Sequence, residues 1–193
     1  GLTKTVIYDQ RHSVLAARAR ADFYAAELGG EKIIVHSYGK LSGDASEMNE
    51  RAIYAGRGKQ HLDFFYHIDH VGKKTKAEID LKGALADESK KIFRGTLDFK
   101  RGCAGSVGDE GDFAIQLDPK TKNISLPLLL CTEDDVQGNH ASSAGQLDQN
   151  TIYFLMSRGF TLEEARRIVV EALIRPIIDG MNETIREEVL NAV

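Results

Sequence analysis

Between Asp134 and Asp148 the chain reads DDVQGNHASSAGQLD, with one histidine, His140, set among Gly138, Ala141, Ser142, Ser143, Ala144 and Gly145. An imidazole ordinarily titrates near pH 6.5, so at neutral pH much of it is the neutral base that ligates a metal or relays a proton. Small neighbours leave such a ring open to a ligand or to another chain. The same residues also suit a plainer role, a ring bonded to a backbone carbonyl where a strand gives way to a helix. Local sequence leaves both open.

Other chemistry-bearing residues are sparse. Cys131 ends an apolar stretch nine residues before His140, and Cys103 sits in KRGCAGS beside Lys100 and Arg101, whose charges would lower a thiol pKa. Their plainer readings are a small buried hydrophobe and a turn residue. Two cysteines without a C-x-x-C pair give neither a disulfide framework nor a zinc signature. Among His61, His67 and His70, strand alternation sends 67 and 70 to opposite faces, so a metal site would need His61 and His67 to converge from different strands or turns. Glu133, Asp134 and Asp135 read as a solvated turn. Asp63, Asp69 and Asp80 are candidates for paired acid and base work in a polysaccharide groove. The absence of Trp and a count of 6 Tyr speak against sugar stacking.

A formal charge of -4 offers no basic excess for nucleic acid or anionic lipid. The longest apolar stretch, LPLLLC at 126–131, is far short of the roughly 20 residues of a membrane helix. No signal-peptide pattern opens the sequence. These features point to a cytoplasmic protein without nucleic-acid or membrane partners. The chain starts directly in strand-like TKTVIYDQ, which suggests part of a longer polypeptide.

From residue 4 to about 137 short β-branched and aromatic runs recur, at 5–8, 21–28, 32–38, 51–56, 62–71, 77–85, 91–100, 112–118 and 124–130. In KAEIDLKG, Ala77, Ile79 and Leu81 fall on one face while Glu78, Asp80 and Lys82 point away, which is strand period. Run centres lie on the order of 14 residues apart, wider than in hairpin-built sandwiches. Tight turns are rare, only GRGK at 56–59 resembling one, so longer connections and a parallel β-helix become an option beside a sandwich or jelly roll.

After residue 147 the period is helical. Asp148 can cap a helix with Ile152, Leu155 and Met156 as its stripe and Gly159 as its stop. Thr161 and Glu164 form a capping box opening a helix whose stripe is Ala165, Ile168, Val169, Ala172 and Leu173. Pro176 is expected to interrupt or kink it. A third segment repeats the stripe with Ile178, Met181, Ile185 and Val189. The chain reads as an all-β body followed by a small helical bundle.

This order, together with GRGKQHLD (56–63), KGALADESKKIFRG (82–95), the L-P-x-L…D-D-V-x-x-x-H segment (125–140) and the tail L-D-x-x-x-x-Y-F-L-x-S-R-G-F-x-x-x-E-A-R (147–166), resembles the SufB/SufD family. These are the β-helical scaffold proteins of the SUF iron–sulfur cluster assembly machinery. The family places a histidine after D-V-x-x-x, and His140 is the match. SufB proteins follow it with a glutamate, where Ala141 stands, and carry a cysteine at a position that falls on Thr121. Both departures bring the chain nearer to SufD, whose cysteine just before the histidine is replaced by Gly138-Asn139. Family members are considerably longer, so the chain resembles a carboxyl-terminal portion or a short member.

The resemblance implies a mainly β chain, a right-handed parallel β-helix over 1–146 followed by a helical subdomain over 147–193. It implies a noncatalytic scaffold that pairs with another SufB/SufD-type subunit as homo- or heterodimer. His140 takes the cluster-assembly role and, with Cys131, is a candidate metal ligand. Stable clusters need about four thiolates, and with two cysteines any iron–sulfur cluster is transient or shared between subunits. The helical tail resembles the subdomain that binds SufC, an ABC-type ATPase. No G-x-x-x-x-G-K-[ST] motif is present, which leaves nucleotide chemistry to that partner. Residues 161–175 form the expected contact helix, with Thr161, Glu164, Arg166, Arg167, Val170 and Arg175 as its contacts. The residues do not decide whether a flavin is bound.

Overall fold

The computed structural model describes residues 4–192, so residues 1–3 and 193 of the two expected segments lie outside the described residues. Ten strands precede three helices: β1 (Val6–Leu15), β2 (Arg20–Glu27), β3 (Lys32–Leu41), β4 (Glu47–Gly56), β5 (His61–His70), β6 (Lys76–Leu85), β7 (Lys90–Phe99), β8 (Ser106–Gln116), β9 (Lys122–Cys131), β10 (Val136–Gln146), α1 (Gln149–Ser157), α2 (Leu162–Ile178) and α3 (Glu183–Ala192). Odd strands form sheet A in the order β1-β3-β5-β7-β9, and even strands form sheet B in the order β10-β8-β6-β4-β2. Each strand pairs in parallel with the strand two places on. The molecule is a parallel β-solenoid of two facing 5-stranded sheets, followed by helices.

Parallel neighbours cannot be joined by two-residue hairpins, and the one tight turn in the sequence, around Gly58 (φ +59), is a corner from sheet B to sheet A. Corners are stitched from coil to coil by carboxylates. Gly58 N–H donates to Asp87 (2.7 Å) and Lys73 N–H to Asp44 (2.9 Å), each 29 residues apart. Gly102 N–H donates to Glu133 (2.8 Å) across 31 residues. This spacing is the repeat of the fold, carried by single acidic residues in corners rather than by a sequence block.

Alternation sends every second side chain inward, where Ile33, Val35, Phe64, Ile79, Leu81, Phe93, Leu97 and Phe99 are completely buried. Each such side chain contributes on the order of 1.5–3 kcal/mol. The helices fold back over the outer face of sheet B. Val170, Ile174, Ile177 and Ile178 of α2 pack with Ile53 and Ala84 of the strands beneath.

The buried face of α2 differs from the expected stripe. Ala165 is shared, but Ile168 is exposed and Val170, Ile174, Ile177 and Ile178 are covered instead. The helix is apolar over a broad arc, and period alone does not choose which part meets the sheet. Pro176 does not end the helix, which continues to Ile178; a proline in the last turn removes only one backbone hydrogen bond. In the last segment Met181 and Val189 are buried while Ile185 is exposed. Among the described residues no helix is long and apolar enough to cross a membrane.

Candidate functional site

The stretch around His140 is a strand. It forms β10, the end strand of sheet B, with His140 in register with Glu110 of β8. Its glycines, serines and alanines carry little β-propensity and no apolar alternation, so the pattern of residues hid it. Partners in a parallel pair point to the same side of the sheet. Glu110 points inward, since it is only 4% exposed and any side chain on Gly95 of the opposite sheet would collide with its carboxylate. His140 therefore occupies an inward-facing position, yet it is exposed, because among the described residues no further strand continues sheet B beyond β10. Gly138, on the same face, lies against Leu129 and Phe99. Ser142 and Ala144 complete a lining of small residues.

The interior beneath this end is polar. Burial, and secondarily the neighbouring Asp112, push the Glu110 carboxyl up to about 8. Among the described residues neither of its oxygens finds a hydrogen-bond partner. The contrast lies two strands away in the same row of sheet B, where Glu50 (in register with Ile79, itself in register with Glu110) accepts from Arg11 at 3.0 Å and Ser37 at 2.5 Å. Lys91, fully buried, pairs with Asp112 and donates to the Tyr54 hydroxyl at 2.9 Å. Burial pulls its ammonium pKa down, opposed by Asp112.

Cys131, the last residue of β9, is exposed. Gly95 faces Glu110 and Leu97 faces Gly108, so facing strands run in opposite directions. Cys131 and His140 therefore lie on opposite sides of the Leu129–Gly138 contact, roughly 13 Å apart along the strands at about 3.3 Å per residue. Both stand at the open end, but the chain alone does not bring them to one ion.

Comparison with known proteins decides the family. The "SUF system FeS cluster assembly, SufBD core domain" profile matches residues 3–173. The chain belongs to the SufBD family. It is similar to the iron-sulfur cluster assembly protein SufD of Bacillus subtilis, 30% identical over 154 residues, covering 79% of this chain and 35% of that protein. It is also similar to SufB of the same organism, 23% identical over 167 residues (86% and 36%), and to a SufBD family protein of Mycobacterium leprae, 26% identical over 191 residues (94% and 49%). The chain thus spans less than half the length of these relatives.

The remaining candidates of this SufBD chain resolve into structural roles. His61 and His67 both lie on β5, about 20 Å apart at about 3.3 Å per residue, and do not converge. His67, Asp69 and Asp98 do offer ligand atoms within 4.8 Å of one another, a cluster the sequence reading missed because Asp98 comes from the next coil. The Lys100 ammonium lies 2.5 Å from Asp98 and 3.5 Å from Asp69, which makes the cluster an ion-paired ladder. His70 is completely buried, bonded to Thr75 at 2.7 Å and stacked on Phe99. Asp63 and Asp69 stand on the outer face of sheet A while Asp80 stands on that of sheet B. Asp63 pairs with Arg94 and Asp80 with Lys82, so the three do not line one groove. Cys103 is buried, and burial pushes its thiol pKa up, overriding the lowering expected from Lys100 and Arg101. Glu133 is the corner acceptor described above.

On the helical tail, Thr161 and Glu164 are spent on the capping box of α2. Arg166 reaches the Leu117 carbonyl (3.4 Å), Arg167 pairs with Glu171 (2.6 Å) and Arg175 with Asp179 (3.0 Å). Val170 is 6% exposed and packs against sheet B, so it is not a surface contact: the apolar arc of the helix turned it toward the solenoid.

Proposed function

We propose that the chain is a noncatalytic scaffold segment of SUF iron–sulfur cluster assembly that works at the open end of its solenoid. The reading rests on one observation: in a SufBD-family chain, His140 is exposed at an inward-facing position of the terminal strand. A second SufB/SufD-type subunit, as homo- or heterodimer, meets this end. Two features support that pairing. β9 and β10 present unpaired strand edges, and Ile124, Leu126, Leu128 and Leu130 form an exposed apolar row on β9. The iron–sulfur cluster is transient and shared, His140 and Cys131 each completing its ligand set with groups of the partner, since the two stand too far apart within one chain. Its setting is the cytoplasm.

An ABC-type ATPase docks on the exposed side of α2, through Arg166, Arg167 and Arg175. The ion pairs of Arg167 and Arg175 are solvent-exposed and worth about 0–1 kcal/mol, so a partner's carboxylates can replace them. ATP binding there shifts the two solenoids relative to one another and opens the His140 site.

Co-expression of the full-length protein with the ATPase and second subunit of its own assembly system tests this. Co-purification of all three, lost on charge reversal of Arg167 and Arg175, supports the reading. Retention of the ATPase by the charge-reversed protein removes α2 as its dock, and failure of wild type to retain either partner removes the scaffold reading.

A further inference from the structure

Asp69 of β5 and Asp98 of β7 are direct register partners on the outer face of sheet A, away from the helices, which pack on sheet B. Like charges set side by side on neighbouring strands repel, and both side chains are nearly covered, 10% and 9% exposed. The pair calls for a cation between them. In the structure that place is filled by the Lys100 ammonium, which reaches in from a side chain that is 45% exposed. Beside the carboxylates stands a group that a lysine does not need, the His67 imidazole, whose Nε2 lies 3.0 Å from Asp69 Oδ1. Ligand atoms of His67, Asp69 and Asp98 all lie within 4.8 Å of one another. Atoms bound at about 2.0–2.2 Å around one tetrahedral ion stand roughly 3.3–3.6 Å apart. The His67–Asp69 contact is already close to that spacing, and small side-chain rotations close the set. One tyrosine of the preceding coil orients two of the three ligands: the Tyr38 hydroxyl donates to Asp69 Oδ2, and the His67 ring stacks on the Tyr38 ring at a centroid distance of 5.1 Å. Burial pushes the Asp69 carboxyl up, but hydrogen bonds from Tyr38 and His67 and the charge of Lys100 outweigh it and hold it below its usual range.

One imidazole with two carboxylates suits a divalent first-row cation such as Zn2+ or Fe2+ better than Mg2+ or Ca2+, which take oxygens alone. We infer that His67, Asp69 and Asp98 form a binding site for such a cation on the outer face of sheet A, with Lys100 as the stand-in that leaves when the ion enters. The ion bonds His67 through Nε2, replacing the proton there, and keeps a further position open to solvent. Because the ligands come from two successive coils of sheet A, the bound ion staples β5 to β7. The site lies on the opposite sheet from His140 and does not depend on the assembly reading.

Co2+ titration of the full-length protein tests this, read by visible d–d absorption with Zn2+ added in competition, and thermal unfolding is followed in parallel. Wild type should show a saturable Co2+ band that Zn2+ removes, and a melting temperature that either ion raises. The absence of a saturable band overturns the site. His67→Gln and Asp98→Asn should each lower Co2+ affinity at least roughly tenfold and abolish the rise in melting temperature, with the fold intact by circular dichroism. Wild-type affinity in either variant overturns the site, and if one of them does not fold the other carries the test. Lys100→Gln should bind Co2+ as tightly as wild type or more tightly, because a competing charge is gone; weaker binding contradicts the stand-in role. His140→Ala should keep the Co2+ band whatever it does to cluster assembly. A band lost in His140→Ala and kept in His67→Gln would put the metal at the open end of the solenoid, removing this inference while the assembly reading stands.

Discussion

Gly95 on β7 and Glu110 on β8 face each other across the solenoid interior so closely that a single methyl group on Gly95 would overlap the carboxylate. The glycine is there for space, not for backbone freedom, since it has no positive φ. Gly95→Ala is therefore expected to destabilise by roughly 1–3 kcal/mol through overpacking. Glu110→Ala in the same chain should relieve it, giving a coupling of at least about 0.5 kcal/mol in a double-mutant cycle by urea unfolding. Additive effects would mean the two do not touch.

The Lys91–Asp112 pair is completely buried. Lys91→Met leaves Asp112 uncompensated and should cost about 3–5 kcal/mol, whereas Lys91→Met with Asp112→Leu should recover most of that loss. Chemical denaturation of the three variants measures it, and equal losses for the single and double changes would contradict the pair as described.

Acid sensitivity should follow His70. Burial pushes its ring down to about 4, while an unfolded imidazole protonates near 6.5. Between those values the unfolded state binds the extra proton, so stability falls as pH drops from about 6.5 toward 4 and levels off below, by at most roughly 3 kcal/mol. His70→Gln, whatever its cost at pH 7, should show a shallower loss between pH 7 and pH 4.5. An identical slope would place the titration elsewhere.

Folding and docking separate on α2. Thr161 caps the helix, so Thr161→Ala should lower stability by about 1 kcal/mol. Arg175→Glu, at an exposed ion pair, should change it by less than about 1 kcal/mol. Differential scanning calorimetry distinguishes them, and a large loss from Arg175→Glu would assign that residue to the fold.

The strands with apolar inward rows, β3, β5 and β6, were legible from alternation, as were the caps at Asp148 and Thr161. The strands that escaped are those whose inward positions are charged or small. Glu50 lies in the unread beginning of β4, Gly108 and Glu110 in that of β8, and His140 among the small residues of β10. A rule that sends polar residues outward fails where the interior itself is polar, and that interior is the candidate site. His140 stands out by its small neighbours, but only the family motif gives it a role. Glu110, from the preceding coil, carried no signal, because pairing across about 30 residues is written in corner carboxylates rather than in a contiguous repeat. The outer-face cluster of His67, Asp69 and Asp98 was hidden for the same reason.

The most direct measurement is anaerobic reconstitution of the full-length protein with its partner subunit, comparing wild type with His140→Ala for bound iron, acid-labile sulfide and the visible absorption of the cluster. The account predicts a cluster in wild type and at least a roughly tenfold loss in the variant, with unchanged folding by circular dichroism. A variant that assembles and holds the cluster as wild type does would contradict it.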